Sequence, residues 1–218
     1  MSRNVKLSAA LVAVFVVAMA VTLVVGRAGG DPSADGGGEV AEIPVVRENS
    51  HRLATAADGR VTLVEFLDFE CEACLAAYPF VEQLREDYAG RVTFVARYFP
   101  VPGHANAENA ALAVEAAAQQ GQFEAMYKRM YETQSEWGEQ QTSKADLFRT
   151  FAQDLGLDVA TYDRAVADPA TLERVQQDMN DALALGVQGT PTFFLNGKMI
   201  APATTDEFRK LIDDALEG

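Results

Sequence analysis

Both cysteines of this 218-residue chain lie within four residues, in Cys71-Glu72-Ala73-Cys74. The motif falls between an apolar run typical of a strand and the start of a helical pattern. A helix N-terminus offers unpaired N–H groups and a partial positive charge, which favour a thiolate over a thiol. Cys71 can then attack a disulfide, and Cys74, one helical turn inside, can attack back and release the product. The pattern therefore predicts a redox-active cysteine pair.

The cysteine pair also fits three roles without redox turnover. A static structural disulfide is the first, although a bridge across so short a loop constrains the unfolded chain least. A metal site is the second, but it needs further ligands, and the chain has two histidines, His51 and His104. Two unrelated buried thiols are the third. We expect redox chemistry by the cysteines themselves, with no metal and no cofactor.

A carboxylate and a proline segment are the next candidates for the site. Glu65, six residues before Cys71, interrupts an otherwise apolar strand. Burial there raises the pKa of the carboxyl, which makes Glu65 a candidate proton acceptor that helps Cys74 ionise. The alternative is a position at the edge of the sheet, where the carboxylate reaches solvent.

The segment Gly189-Thr190-Pro191-Thr192 precedes a second β-rich region. A proline at the start of a strand, after a turn glycine, is a candidate for a cis peptide bond. A cis bond at Pro191 would expose the backbone around Thr190 for pairing with an extended peptide. A trans proline that merely opens the strand is the alternative.

The elements that must position these residues follow from hydrophobic periodicity. Strand, helix and strand with short links predict a right-handed parallel βαβ unit, and Asn196-Gly197 predicts a two-residue hairpin. Stripes of Met and aromatic residues in the helical part predict core packing, and we interpret His104 as a helix-start residue that packs near the junction. The predicted elements are strands over 60–67 and 91–99, a helix over 72–88 kinked at Pro79, helices from about 106 to 185, strands over 192–195 and 198–200, and a closing helix around 208–215.

The N-terminal residues predict a membrane segment. Seventeen of the nineteen residues from Leu7 to Val25 are Ala, Val, Leu, Phe or Met, enough to span a bilayer as a helix. Arg3 and Lys6 precede them, which favours a cytoplasmic N-terminus and export of the rest. The predicted regions are a cytoplasmic N-terminus over 1–6, a transmembrane anchor or signal over 7–25, a flexible linker over 26–42 and a folded domain over 43–218.

These regions predict a single-pass protein of the cell membrane with its folded domain extracytoplasmic, where disulfides persist. A cleaved signal and secretion form the alternative. Beyond residue 28 the chain carries 15 basic and 32 acidic residues, a net charge of −17. Binding to nucleic acid by counterion release needs a basic face, so the charge excludes a nucleic-acid partner.

The segments VEFLDFECEAC and GVQGTPTFFLNGK, with the βαβ unit and the inserted helices, resemble the DsbA branch of the thioredoxin superfamily, in particular its membrane-anchored, exported members. The resemblance covers about residues 43–218. It implies an α/β thioredoxin fold, with βαβ and ββα halves, split by a helical insertion at about 104–186 and preceded by an N-terminal transmembrane helix.

The resemblance also implies roles for individual residues. Cys71 is the attacking thiol, Cys74 the resolving thiol and Glu65 the buried carboxylate by this comparison. Pro191 matches the cis-proline of the family, and Thr190 matches the residue before it, which lies against the cysteines and contacts the substrate backbone.

The activity that the resemblance implies is thiol–disulfide exchange, in which disulfides of exported polypeptides are formed or rearranged. Oxidising members of the family are recharged by a quinone-linked membrane partner. Two alternatives fit the same residues. One is a reductase, fed by a membrane electron donor, that serves a dedicated target, and the other is a non-catalytic binding module whose cysteines form a static bridge.

The residues between the cysteines depart from the family pattern. Strongly oxidising members usually carry Pro-His or Pro-Tyr there, whereas this chain carries Glu72 and Ala73. The like charge of Glu72 disfavours a thiolate, and Asp68 and Glu70 add negative charge at the same mouth, blunted by solvent screening. We therefore expect a weaker oxidant than the strongest members, with a less acidic Cys71.

Overall fold

The structure is a computed structural model that describes residues 43–218, in which the chain forms five strands and seven helices. The strands are β1 (His51–Ala54), β2 (Thr62–Leu67), β3 (Thr93–Tyr98), β4 (Thr192–Leu195) and β5 (Lys198–Ile200). The helices are α1 (Glu72–Asp87), α2 (Ala107–Ala118), α3 (Phe123–Trp137), α4 (Ala145–Asp154), α5 (Val159–Ala167), α6 (Pro169–Ala184) and α7 (Thr205–Glu217).

The strands form one mixed sheet in the order β1-β3-β2-β4-β5. β2 is the central strand, parallel to β3 and antiparallel to β4, so β2, α1 and β3 form the predicted parallel βαβ unit. Buried side chains occupy nearly every position of β2 and β3, as expected of a sheet covered on both faces. β1 pairs with β3 at one edge, and its four residues carry too short a pattern to be predicted from sequence.

The β4–β5 hairpin turns at the predicted Asn196-Gly197. Both residues have positive φ, 47° and 79°, the left-handed geometry that a two-residue type I′ turn requires. The turn also joins the central strand, because the Thr62 amide donates to the Asn196 side-chain oxygen at 2.8 Å. The hairpin prediction is therefore confirmed.

Apolar layers cover both faces of the sheet. Leu63 and Phe94 face the layer that holds most of the helical part, together with both cysteines. Val64 and Phe66 face the opposite layer, which includes Ala182 of α6. Alternate side chains of β2 thus lie on opposite faces of the sheet, and Glu65 lies on the same face as Leu63.

The five helices α2–α6 lie between β3 and β4 in the chain and supply a large part of the first layer. Most of the Met and aromatic residues predicted as core are buried, as Met126, Tyr127, Met130 and Trp137 have no measurable exposure, and Phe123 and Met179 are partly buried against the core. Core packing of these stripes is therefore confirmed.

No helix within residues 43–218 has the length and apolar character needed to cross a membrane. The predicted segments over 1–6, 7–25 and 26–42 lie outside the described residues.

A buried ion network fixes α6 to the sheet. Arg97 of β3 is fully buried, and its guanidinium donates to Asp178 at 2.8 and 2.5 Å and to Asp181 at 2.5 Å. It also donates to the carbonyls of Pro44 and Val45. An unpaired buried charge is costly, so this network holds the segment of Pro44 and Val45, strand β3 and helix α6 together.

Replacement of Asp178 by Ala is expected to lower the free energy of unfolding by about 3–5 kcal/mol, because Arg97 keeps its charge but loses a buried partner. Urea denaturation measures the loss. The control is Asp163→Ala, which breaks an exposed pair with Arg149 (46% and 48% exposed side chains), and there we expect a change of at most about 1 kcal/mol. Equal losses in the two variants would contradict the structural role of the network.

Candidate active site

The cysteine pair lies at the start of α1, as its position in the sequence predicts. Cys71 is the N-cap residue, and Cys74 lies in the first turn. The Cys71 amide donates to the Asp68 carbonyl at 3.2 Å, which closes a turn over residues 68–71. Both cysteines are buried free thiols, with Cys71 at the rim and Cys74 fully enclosed.

The Thr190-Pro191 segment faces the outer cysteine. The Thr190-Pro191 peptide bond is cis, which is the first of the two arrangements considered for this proline. The Cys71 thiol lies 3.4 Å from the Thr190 carbonyl oxygen, 119 residues away in the chain. The structure thus brings together Cys71, Thr190 and Pro191 from the two halves of the fold.

The two thiols have opposite acidities. A hydrogen bond from the Cys74 thiol, aided by hydrogen bonds from the amides of Cys74 and Ala73, lowers the pKa of Cys71 to about 5 in spite of its partial burial. Burial, the hydrogen bond to Cys71 and the charge of Glu65 raise the pKa of Cys74 far above its ordinary value. At neutral pH Cys71 is therefore a thiolate and Cys74 a thiol.

Glu65 lies at the centre of the sheet. It pairs with Ala96 of β3 and Phe193 of β4, and only 6% of its surface is exposed, so the alternative of an edge position is excluded. Burial, and then the charges of Glu82 and Cys71, raise the pKa of its carboxyl to about 8. A carboxyl with this pKa, on the sheet face that holds Cys74, can exchange a proton near neutral pH.

The acidic residues before the cysteines are not where the sequence predicts them. We expected Asp68 and Glu70 at a solvated mouth, but both are buried. Asp68 accepts hydrogen bonds from the amides of Glu70 and Val101, and Glu70 accepts one from the amide of Asn106. The loop after β3 covers them, so solvent screening is the wrong description of their charges.

The residues between the cysteines are exposed. Glu72 and Ala73 both point to solvent at the first turn of α1. The charge of Glu72 does not prevent the Cys71 thiol from having a pKa of about 5. Water next to Glu72 weakens its repulsion of the thiolate, whereas hydrogen bonds hold the thiolate directly.

Two further contacts link the helical part to the cysteine turn, and the sequence patterns predict neither. Gln134 of α3 is buried and donates to the carbonyls of Phe69 and Cys71 at 2.7 and 3.1 Å. His104, predicted as a packing residue, lies 2.6 Å from Asp68, between Nδ1 and Oδ2. The one sequence feature that could point to Gln134 is its position on an otherwise apolar stripe of α3.

Buried phenols surround the inner part of the site. Tyr127 and Tyr131 pack against Phe69, with ring centroids 5.9 and 5.3 Å apart. Burial raises the pKa of both phenols well above the ordinary value, so they stay neutral. Within residues 43–218, no cluster of three or more His, Cys, Asp or Glu side chains is arranged to hold a metal ion.

The fold and the cysteine turn are those of a thioredoxin-like protein. Residues 52–214 match the sequence model described as Thioredoxin, and the chain belongs to this family. Among solved structures, a thioredoxin-like oxidoreductase from Silicibacter pomeroyi DSS-3 is 25% identical, with a TM-score of 0.66 over 82% of this chain and 98% of that one. BdbD from Bacillus subtilis (23% identical, TM-score 0.65, 76% and 92% covered) and α-DsbA1 from Wolbachia pipientis (18%, 0.68, 79% and 93%) share the fold. The resemblance to DsbA-like proteins of the thioredoxin superfamily is thereby confirmed.

Curated relatives carry a similar sequence within longer chains. A Na⁺/H⁺ antiporter NhaA 3 from Salinispora tropica is 38% identical over 157 residues, which are 72% of this chain and 23% of that protein. A Na⁺/H⁺ antiporter NhaA from Herminiimonas arsenicoxydans is 34% identical over 161 residues, 74% of this chain and 24% of that protein. The chain thus spans about a quarter of the length of these relatives.

These relatives overturn the location predicted from the sequence. We expected a single-pass protein of the cell membrane with an extracytoplasmic domain, or a secreted protein. The relatives are named as antiporters and carry the matching region as a minor part of a longer chain, so their likeness gives no support to a single-pass arrangement.

The raised pKa of Glu65 predicts a pH dependence of stability. Its folded pKa of about 8 exceeds the ordinary 4.5, so the proton on Glu65 stabilises the fold fully below about pH 4.5, and this contribution is lost as the pH rises through 8. In Glu65→Gln that decline, a few kcal/mol in size, should be absent. Urea denaturation of the reduced protein at several pH values measures it. The exposed Glu72→Gln is the control, and wild-type and Glu65→Gln curves that run parallel would refute the assignment.

Proposed function

We propose that this chain catalyses thiol–disulfide exchange with polypeptide substrates through Cys71 and Cys74. The observation that carries the proposal is the unequal pair, an acidic outer thiol on the helix N-terminus and a buried neutral inner thiol. The outer sulfur also faces the backbone carbonyl of Thr190. A low-pKa thiolate with a resolving thiol one turn away supports exchange better than a static bridge.

In the oxidising direction, the protein starts with a Cys71–Cys74 disulfide. A substrate thiolate attacks the Cys71 sulfur, so a mixed disulfide forms and Cys74 leaves as a thiolate that takes up a proton. A second substrate thiolate then attacks the substrate sulfur of the mixed disulfide, and Cys71 leaves as a thiolate. The substrate loses two electrons and gains a disulfide, while the protein gains the two electrons as a dithiol.

The dithiol must return its two electrons to an external disulfide or other oxidant before the next cycle. We propose a redox partner protein for this step, in line with the recharging partners of oxidising DsbA-like proteins. The reverse sequence, in which the dithiol reduces a substrate, uses the same groups. The measured reduction potential of the pair decides the direction.

Glu65 is the proposed proton acceptor and donor for Cys74. Cys74 must lose its proton before it can attack a mixed disulfide, and burial makes that loss costly. Glu65 lies on the same face of the sheet and has a pKa of about 8. Such a carboxyl can take the proton of Cys74 near neutral pH and return it when Cys74 leaves.

Thr190 and Pro191 are the proposed substrate-binding residues. The Thr190 carbonyl points at Cys71, and an extended peptide beside Cys71 would pair with this backbone. Glu72 and Ala73 are the proposed redox-tuning pair. The pKa of Cys71, about 5, lies between about 3.5 for DsbA and about 7 for thioredoxin, in accord with an oxidant of intermediate strength.

Replacement of Cys74 by Ala is expected to trap substrates on Cys71 as stable mixed disulfides, because the resolving thiol is gone. Mass spectrometry of the protein incubated with an oxidised test peptide detects the adduct, which reducing agent releases. Cys71→Ala is the matched control and should retain none. Trapping by neither variant would overturn the proposal, since both thiols would then be inert.

Replacement of Glu65 by Gln is expected to slow resolution of the mixed disulfide on the order of a hundredfold near pH 7, because Cys74 loses its proton acceptor. Formation of the mixed disulfide by Cys71 should keep its rate. Stopped-flow measurement of the two phases separates the steps, with Glu72→Gln as the control. If both phases keep their wild-type rates in Glu65→Gln, Glu65 has no part in proton transfer.

A further inference from the structure

His104 stands in the loop between β3 and α2, outside the groups that the proposed exchange uses. Its Nδ1 lies 2.6 Å from Oδ2 of Asp68. The imidazole is about one-third exposed (34%), whereas the Asp68 carboxylate is fully buried. His104 can therefore exchange protons with solvent while the hydrogen bond fixes its position.

Asp68 places His104 beside the cysteine turn. The Asp68 carbonyl accepts the Cys71 amide at 3.2 Å, and Oδ1 of the same residue accepts the Glu70 amide at 2.8 Å. Residues one and four of such a turn have Cα atoms within about 7 Å of each other. The imidazole bound to Asp68 is therefore a neighbour of the segment that carries Cys71.

The groups that face His104 favour its charged form. Burial alone lowers its pKa, but the hydrogen bond and charge of Asp68, and then the charges of Cys71 and Glu70, outweigh burial and raise the pKa. These three residues are the titratable groups with the largest effect on the imidazole. An imidazolium and a Cys71 thiolate thus stabilise each other.

We propose that His104 is a positioning residue for Cys71. Through its hydrogen bond to Asp68, His104 holds a positive charge beside the Cys71 thiolate. The residues between the cysteines contain no histidine, so this charge comes from a loop 33 positions further along the chain. The inference rests on the proposed exchange at Cys71. A stabilised Cys71 thiolate leaves more readily from a mixed disulfide and favours the reduced protein.

The test compares His104→Gln with the wild type by titration of the thiolate absorbance of the reduced protein. We expect the pKa of Cys71 to rise by about one unit, the effect of one lost nearby charge. In the equilibrium with glutathione, protein dithiol plus oxidised glutathione gives protein disulfide plus two reduced glutathione molecules. This equilibrium should shift about fivefold toward the protein disulfide at pH 6.

The pH profile distinguishes a charge effect from a packing effect. At a pH well above the pKa of His104, the imidazole is neutral in the wild type too, so this difference in the glutathione equilibrium between the two proteins should disappear. His104→Lys keeps a positive charge and should keep the low pKa of Cys71. A difference that persists unchanged at high pH would overturn the proposal.

His51→Gln is the matched control. His51 also forms a histidine–carboxylate pair, with Nε2 at 2.6 Å from Oε2 of Glu115, but it lies on β1 and stacks on Phe123. Its loss should leave the pKa of Cys71 unchanged. An unchanged Cys71 pKa in folded His104→Gln, or an equal shift in His51→Gln, would refute the role of His104.

The readouts separate this inference from the proposed function. Thiolate absorbance requires no substrate, so a shifted Cys71 pKa supports the inference even when the protein exchanges with no polypeptide. In that case the proposed function fails alone. If polypeptide exchange proceeds but His104→Gln leaves the Cys71 pKa unchanged, the inference fails alone.

Discussion

The buried carboxylate of Asp68 accepts hydrogen bonds from the Glu70 and Val101 amides and from the His104 ring. A carboxylate out of water must fill its acceptor sites, so these donors fix the end of β2, the cysteine turn and the loop after β3 against one another. The start of α1, and with it Cys71, then has one position. The acidity of Cys71 depends on that position, because amide donors act only at hydrogen-bond range.

Burial also makes the acidities of the two cysteine thiols differ. Cys71 at the rim receives hydrogen bonds from Cys74 and nearby amides, and these outweigh its partial desolvation. Cys74 lies deeper, where desolvation dominates and Glu65 adds a like charge. Within one helical turn, the thiol of Cys71 therefore has a lowered pKa and the thiol of Cys74 a raised one. Glu65, at the centre of the sheet, is the carboxyl proposed to take the proton of Cys74.

Local patterns are sufficient to predict part of the fold and site. The apolar runs of β2 and β3, the Asn196-Gly197 turn and the helix that begins after Cys71 depend on neighbouring residues, and the structure contains all of them. The long-range polar contacts are not predictable in this way. Asp68 and His104 are 36 residues apart, and Gln134 reaches Cys71 across 63. Such contacts depend on how the helical part packs on the sheet, for which the sequence has no periodic signal, and for this reason the expectation of Asp68 and Glu70 in solvent is wrong.

The thioredoxin-like segments and the helical part contribute different residues to the site. The βαβ and ββα segments supply the sulfurs, the central carboxyl and the proline loop, all within the region that matches the thioredoxin family. The helical part and its leading loop supply Gln134 and His104, the contacts that adjust the turn. The residues between the cysteines have exposed side chains, and the hydrogen bonds that lower the pKa of Cys71 come mainly from the Cys74 thiol and the amides of Ala73 and Cys74. The positions of these donors depend in turn on what packs over the cysteine turn, so the acidity of Cys71 depends on residues outside the motif as well as on those within it.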